Sequence, residues 1–369
     1  MRKREISWLN QHGLVIILVI AALLSVMWSC HNQHFYNQPI GKITNVKVIH
    51  QQKSHDQFNN IDYQFKQRVR MTVMNGRYQG QTVTANNTYS ASGGMDQKYR
   101  VGQRVFLTQL RQRHGHLSAS VTGLKRDTAV VILIWLVILL LGLILGRTGI
   151  FTLLSTVLNI LFFLIAVKVD LITQAQYIIP IFTVAALLIA FVTLIVTYGW
   201  SKQTLASLLA TTLGVGIALS VFLIVSNVTH ERGIYYESMQ FVTQNYRLIY
   251  LAEIMIGCLG AVMDESSDIL ATMFEVKRLQ PHASWHELFV AGQQVGRTVM
   301  GPLTNILLMI FLFSTLTNAV LMLRNGNSWG YTFSMTMSLG VAQSLVSGIG
   351  IVVTIPAVSS LAALFIARE

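Results

Sequence analysis

The sequence predicts an α-helical integral membrane bundle of about eight transmembrane helices, with a small extracytoplasmic β-rich, OB-like domain inserted between helices 1 and 2. Three observations lead there. The chain is 53% hydrophobic and only 11% charged over 369 residues, with a mean hydropathy of +0.53. It contains several largely apolar runs longer than about 18 residues, enough to cross about 30 Å of hydrocarbon at a helical rise of about 1.5 Å per residue. Between the first and second of these runs lies a polar segment rich in Val, Ile and Thr. The apolar runs are continuous and do not alternate, which excludes a transmembrane β-barrel.

The first run, 12–30, follows "MRKR" and lacks an A-x-A-like cleavage site, so 1–30 reads as a retained signal-anchor helix. The two cysteines, Cys30 and Cys258, have no spacing that suggests a disulfide framework or a metal. Residues 31–127 form the β-rich domain. Short runs at 41–49, 67–74, 79–87, 102–110 and 117–124 have strand chemistry, and Asn75-Gly76, Gly93-Gly94 and His114-Gly115 punctuate them. Five short strands in so short a segment predict a small barrel or sandwich. The segment holds 14 Lys and Arg against 4 Asp, so it carries +10 of the chain's formal +12. Such a domain is drawn to anionic head groups or an anionic envelope polymer. It has no basic run interleaved with stacking aromatics, so nucleic acid is not expected. His114 and His116 in a Gly turn lack a third ligand nearby, so no metal site is expected there.

The remaining 128–369 form a seven-helix membrane domain. The expected spans are 128–146, 149–167, 177–199, 204–226, 247–265, 299–322 and 334–366, the last tilted, or broken near Gly348 and Pro356. Lys and Arg in the short loops place both termini in the cytoplasm, with nine cationic residues on the inner side against four in the short outer loops. Between the sixth and seventh spans, 266–298 reads as a cytoplasmic amphipathic hairpin. Its second helix opens on the capping box Ser284-x-x-Glu287, and the pair turns near Pro281.

The candidate site is "GAVMDESSDI", at the end of the sixth span. Advancing about 100° per residue from Glu253 puts Gly257, Gly260, Asp264 and Asp268 within about 60° of it, whereas Glu265 falls near 120°. One face therefore carries acids and glycines. Asp264 lies about 16 Å along the axis from Glu253. A carboxylate facing lipid at depth costs roughly 3 kcal/mol or more, so Glu253 is expected to face the bundle or water and to belong to a polar path or ion relay. Asp264, Asp268, Arg297, Asn305 and Gln343 are the further candidates for that path. Gly257, Gly260 and Gly301 are expected to serve close helix packing. Polar stripes recur at Ser207, Thr211 and Gly214, at Gly301 and Thr304, and at Gly340, Gln343, Ser347, Gly350 and Thr354, while Asn159 sits mid-span in the third. Arg297 begins the seventh span where the acids of the sixth emerge, and an ion pair with Asp264 or Asp268 is expected.

"GCLGAVMDESSDI", "MFEVKRLQP" and "ELFVAGQQVGRTVMGPLTNILL", with "GRYQGQTVTANNT" and "YRVGQRV" upstream, resemble the YibE/F-like family of bacterial multi-spanning membrane proteins. The resemblance covers most of the chain. It implies a permease of the bacterial inner membrane whose chemistry the motifs do not specify. It also implies a homo-oligomer, or a hetero-oligomer with a paralogue. The family's second block commonly carries an acid after Gly-Arg and reads Gly-Thr-Met; here Thr298 follows Arg297, and Pro302-Leu303 follow Gly301.

No P-loop, H-E-x-x-H or G-x-S-x-G accompanies these blocks, so neither an enzyme nor a bound cofactor is expected. Two functions remain. One is a permease or transporter of unspecified substrate with a polar path beside the acidic face of helix 6. The other is a non-transporting cell-envelope scaffold or sensor whose basic outer domain binds a wall component or protein partner.

Overall fold

The computed structural model describes residues 2–55, 60–94, 96–113, 116–239 and 244–367. The Gly turn at His114 and the C-terminal Arg368 lie outside them. The chain divides into two compact units, Met1–Ile150 and Phe151–Glu369.

The first unit holds α1 (Arg2–His31), five strands and α2 (Asp127–Leu145). The strands β1 (Ile40–His55), β2 (Ile61–Val73), β3 (Thr82–Ser90), β4 (Arg104–Arg113) and β5 (His116–Leu124) close into a barrel in the order β1-β2-β3-β5-β4. All five predicted strands are present, and β1 and β2 run several residues further toward their hairpin than the sequence pattern indicates. Alternation decides the interior: Ile43, Val69, Met71, Val73, Val83, Val105 and Leu107 are all at most 1% exposed. Each such side chain contributes about 1.5–3 kcal/mol on burial. Asn75, the predicted turn residue, also staples the barrel. Its amide donates to the carbonyls of Tyr36 and Gln38, at 3.0 and 3.1 Å, and its oxygen accepts from the Ile40 amide at 2.7 Å.

The barrel's exit is tied to α1 at Asp127, the first residue of α2. Its carboxylate accepts from Asn32, from the Tyr36 hydroxyl and from Lys125, whose ammonium also donates to the Ser29 carbonyl at 3.1 Å. A carboxylate at a helix N-terminus is favourable in its own right, and here it also fixes where the domain leaves and re-enters the helix pair.

The second unit holds most of α3 (Arg147–Ile172), then α4 (Ile178–Tyr198), α5 (Lys202–Val228), α6 (Tyr246–Leu279), α7 (Trp285–Arg324), α8 (Trp329–Thr336) and α9 (Ser338–Ala367). Among the described residues eight helices are long and apolar enough to cross a membrane, and each overlaps one of the eight expected spans. Two boundaries differ from expectation. The last span breaks at Met337, between α8 and α9, and continues as helix through both Gly348 and Pro356. The two amphipathic stretches of 266–298 are turns of the 34-residue α6 and the 40-residue α7, not separate helices. Their apolar faces bury Ile269, Leu270, Met273 and Leu288 against the end of α9, so they extend the bundle. The predicted capping box at Ser284 and Glu287 is formed at the start of α7.

Candidate functional site

The bundle is organised around α6 and α9, and small residues set how closely they approach their neighbours. A Cβ on Gly350 would stand 2.7 Å from the Cys258 sulfur and 2.9 Å from Val262. One on Gly214 of α5 would overlap the Thr354 hydroxyl, and one on Gly257 would overlap the Gln343 amide. One on Gly296 of α7 would meet Ile355 at 2.5 Å and Ile269 at 3.1 Å. These contacts lay the Cys258–Val262–Ile269 stripe of α6 along α9, with α5 and α7 alongside.

The acidic stripe borders these contacts at Gly257 and otherwise turns away from them. Glu253, Gly260, Asp264 and Asp268 are exposed along one face, with only Gly257 among them against α9; a Cβ on Gly260 would meet nothing within 4 Å. Of the two environments expected for Glu253, bundle or water, the single chain leaves it exposed, because Ile254, Leu259 and Val262, at most 5% exposed, claim the interior. A helix offers one buried arc, and the bulkiest apolar residues occupy it. Arg297 is exposed and, among the described residues, makes no ion pair with Asp264 or Asp268. Arg297 follows Gly296, which packs inward, so the step of about 100° between them carries Arg297 off the buried arc. Asn305 and Gly301 instead line a groove of about 680 Å³ between α7 and α9, with Thr304, Ser344 and Gly348. Gln343 caps Gly257 from α9. Asn159 donates to Thr193 of α4 at 2.8 Å, so its amide joins two helices.

The acid that enters the core is Glu265. It is 0% exposed, and among the described residues neither carboxylate oxygen has a hydrogen-bond partner. Its position follows from its neighbours at i−7, i−3 and i+4, which are Cys258, Val262 and Ile269, the residues that pack toward α9. The next residue, Ser266, turns toward α5. Its hydroxyl meets Ser207 at 2.9 Å and Thr211 at 3.0 Å, and donates to the Met263 carbonyl at 2.9 Å. Ser347, Thr354 and Ser359 of α9 are also buried, at most 4% exposed. The hydroxyls of Thr354 and Ser359 donate back to the carbonyls of Gly350 and Ile355 at 2.7 Å each. The buried hydroxyls of Ser207, Thr211, Ser266, Thr354 and Ser359 thus have partners, whereas the Glu265 carboxyl has none among the described residues.

Sequence reasoning placed the α5 and α9 stripes where they are found but set Glu265 aside. The signal was present. An acid at about 120° on the wheel shares its arc with Cys258 and Val262, and a charge on an apolar arc is the anomaly to follow. Among the described residues no group of three or more His, Cys, Asp or Glu is placed to hold a metal.

A family model described as YibE/F-like protein matches residues 133–368, and one described as YibE/F family N-terminal domain matches residues 34–124. No curated protein and no solved structure matches the chain.

Proposed function

Because the chain belongs to the YibE/F-like family, we propose that it is a multi-pass membrane permease whose path runs through the α5–α6–α9 interior, with Glu265 as the carboxyl that couples passage to proton movement. The observation that carries this reading is the enclosure of Glu265 with both oxygens unpartnered. An ionisable side chain inside a membrane bundle marks an ion or substrate pathway by default. Sealing an ionised, unpaired carboxylate costs several kcal/mol. Ionisation of Glu265 therefore goes with a change of packing around it, or with entry of a compensating cation. Either event ties its charge to opening of the α6–α9 seam, and the hydroxyls of Ser207, Thr211 and Ser266 give a hydrated path alternative partners.

In this reading the acidic stripe of Glu253, Asp264 and Asp268 lies outside the path. Both termini are cytoplasmic, and the barrel, OB-like in its strand count, stands on the far side. The test uses the purified chain in liposomes loaded with a pH-sensitive dye, under an imposed membrane potential. Wild type is expected to admit protons, Glu265→Gln to admit none, and Asp264→Asn to match wild type. Tight liposomes with wild type present, or unchanged flux in Glu265→Gln, favour the envelope scaffold reading instead.

A further inference from the structure

The barrel carries a face that the permease reading does not use. On β2, inward Gln67, Val69 and Met71 alternate with outward Lys66, Arg68 and Arg70, and the inward three are 0% exposed. Residues directly opposite on neighbouring strands share a face. The β1 partners are therefore outward too: His50 opposite Lys66, Lys47 opposite Arg68 and Asn45 opposite Arg70. Beyond them Lys42 stands opposite Thr72 on one side and Arg104 of β4 on the other. On β3 the partners of Lys66, Arg68 and Arg70 are Thr88, Asn86 and Thr84. Lys42, Lys47, Lys66, Arg68 and Arg70 are all exposed. None of the five is in an ion pair among the described residues, and none of the partners named on this face is an acid.

Two like charges placed directly opposite, as Lys47 and Arg68 are, destabilise a sheet. Protein surfaces ordinarily intersperse both signs. A row of cations kept together without a counter-charge raises the potential along the face and recruits anions to it. Lys66, Arg68 and Arg70 recur every second residue of one strand, at a spacing of about 7 Å, with Lys47 and His50 in the adjoining row about 5 Å away. This is a track, long in one direction and two strands wide in the other.

We propose that the outward face of β1–β3 binds a linear polyanion whose anionic groups recur along its backbone and which carries no aromatic bases. The linear form follows from the row of cations. Arg68 and Arg70 supply planar forks suited to phosphate or carboxylate oxygens. The outward residues of β2 and β3 on this face, Lys66, Arg68, Arg70, Thr84, Asn86 and Thr88, include no aromatic ring, so the platform on which unpaired bases stack is missing. They include no apolar side chain to enter a bilayer; on β1, among the described residues, the only large apolar side chains exposed beside Lys47 and His50 are Val48 and Ile49 at the bulge, two residues where an inserting surface presents a continuous apolar face.

The test uses the full chain in detergent and fluorescently labelled inorganic polyphosphate. Wild type is expected to bind it and to lose affinity as salt rises. The triple variant Lys66→Gln, Arg68→Gln, Arg70→Gln is expected to bind at least about tenfold more weakly, with a logarithmic salt slope shallower by about three. Its barrel melts no lower than wild type, because repulsion is removed, and this distinguishes lost binding from lost folding. A second triple variant, Lys98→Gln, Arg100→Gln, Arg111→Gln, removes the same charge elsewhere on the barrel and is expected to keep most of the affinity. The proposal is overturned by equal losses in the two triple variants, by no loss in the first, or by orthophosphate competing as well as the polymer at equal charge. Binding to phosphatidylglycerol nanodiscs with none to polyphosphate also overturns it. None of these outcomes depends on Glu265 or on transport.

Discussion

Asp264 and Glu265 are adjacent in sequence and opposite in environment. One turns out of the bundle, and the other is sealed in it without a partner. A single step of about 100° around α6 makes the difference. Replacing buried ion pairs by well-packed apolar residues of similar volume is often neutral or stabilising, by up to about 4 kcal/mol, and a carboxyl buried with no partner has still less to lose. Glu265→Met is therefore expected to raise the melting temperature of the detergent-solubilised chain while abolishing proton entry, the trade expected where a functional group is held at a cost in stability. A lower melting temperature for Glu265→Met would mean that the carboxyl is satisfied in the folded state and would count against its role as an unpaired coupling group. The hydroxyl of Ser266 behaves differently, since its bonds to Ser207 and Thr211 join α6 to α5 and leave nothing to discharge.

At the level of helices, the glycines divide into those that set contacts and those that face open space. Gly214 lies against Thr354, so its replacement by Ala forces a clash in a closed seam where the Thr354 hydroxyl is already committed to the Gly350 carbonyl. Overpacking of this kind costs typically about 1–3 kcal/mol. Gly260 has no neighbour, and Ala there relieves the entropic cost of a mid-helix glycine, about 0.5–1 kcal/mol. Denaturant unfolding in mild detergent is expected to show Gly214→Ala less stable than wild type and Gly260→Ala at least as stable. The reverse order would mean that the α5–α9 seam is looser than it stands here. Continuity of α6 and α7 past their most apolar stretches follows the same logic. Gly292 and Gly296 let Met273 and Ile269 reach them, so turns that would otherwise end at a surface are recruited into a three-helix contact with α9.

For the molecule as a whole, the proposed topology puts the barrel and the α6–α7 turn on opposite sides of the bilayer. In a chain whose Cys30 and Cys258 are changed to Ala, a membrane-impermeant maleimide applied to intact cells is expected to label Asn86→Cys and to spare Gln280→Cys. Labelling at 280 alone would reverse the orientation, and labelling at both positions would break it. The charge distribution agrees with a division of labour between the two units. The segment with +10 of the net +12 folds as a closed barrel around its own apolar core, while the unit from Phe151 onward buries hydroxyls and one acid.

Much of this architecture was legible in the sequence, because length, period and composition act locally. Continuous apolar runs of that length read as helices, so all eight long helices were found, although α6 and α7 run about 14 residues beyond the apolar stretches that mark them. Runs rich in Val, Ile and Thr between turn residues marked the five strands, and the capping box marked the start of α7. Three things were decided only when the chain folded. Which arc of α6 is buried depended on competition between Ile254, Leu259 and Val262 on one side and the acidic stripe on the other, a contest over neighbours that a wheel does not contain. The isolation of Glu265 required α9 to lie along Cys258 and Ile269, contacts made by residues about 90 positions away in sequence. The cationic face of the barrel needed the registers of β1, β2 and β3, because a one-residue slip moves every side chain to the other face. Local chemistry fixes which elements form; the pairing of distant elements fixes which of their faces meet water, lipid or each other.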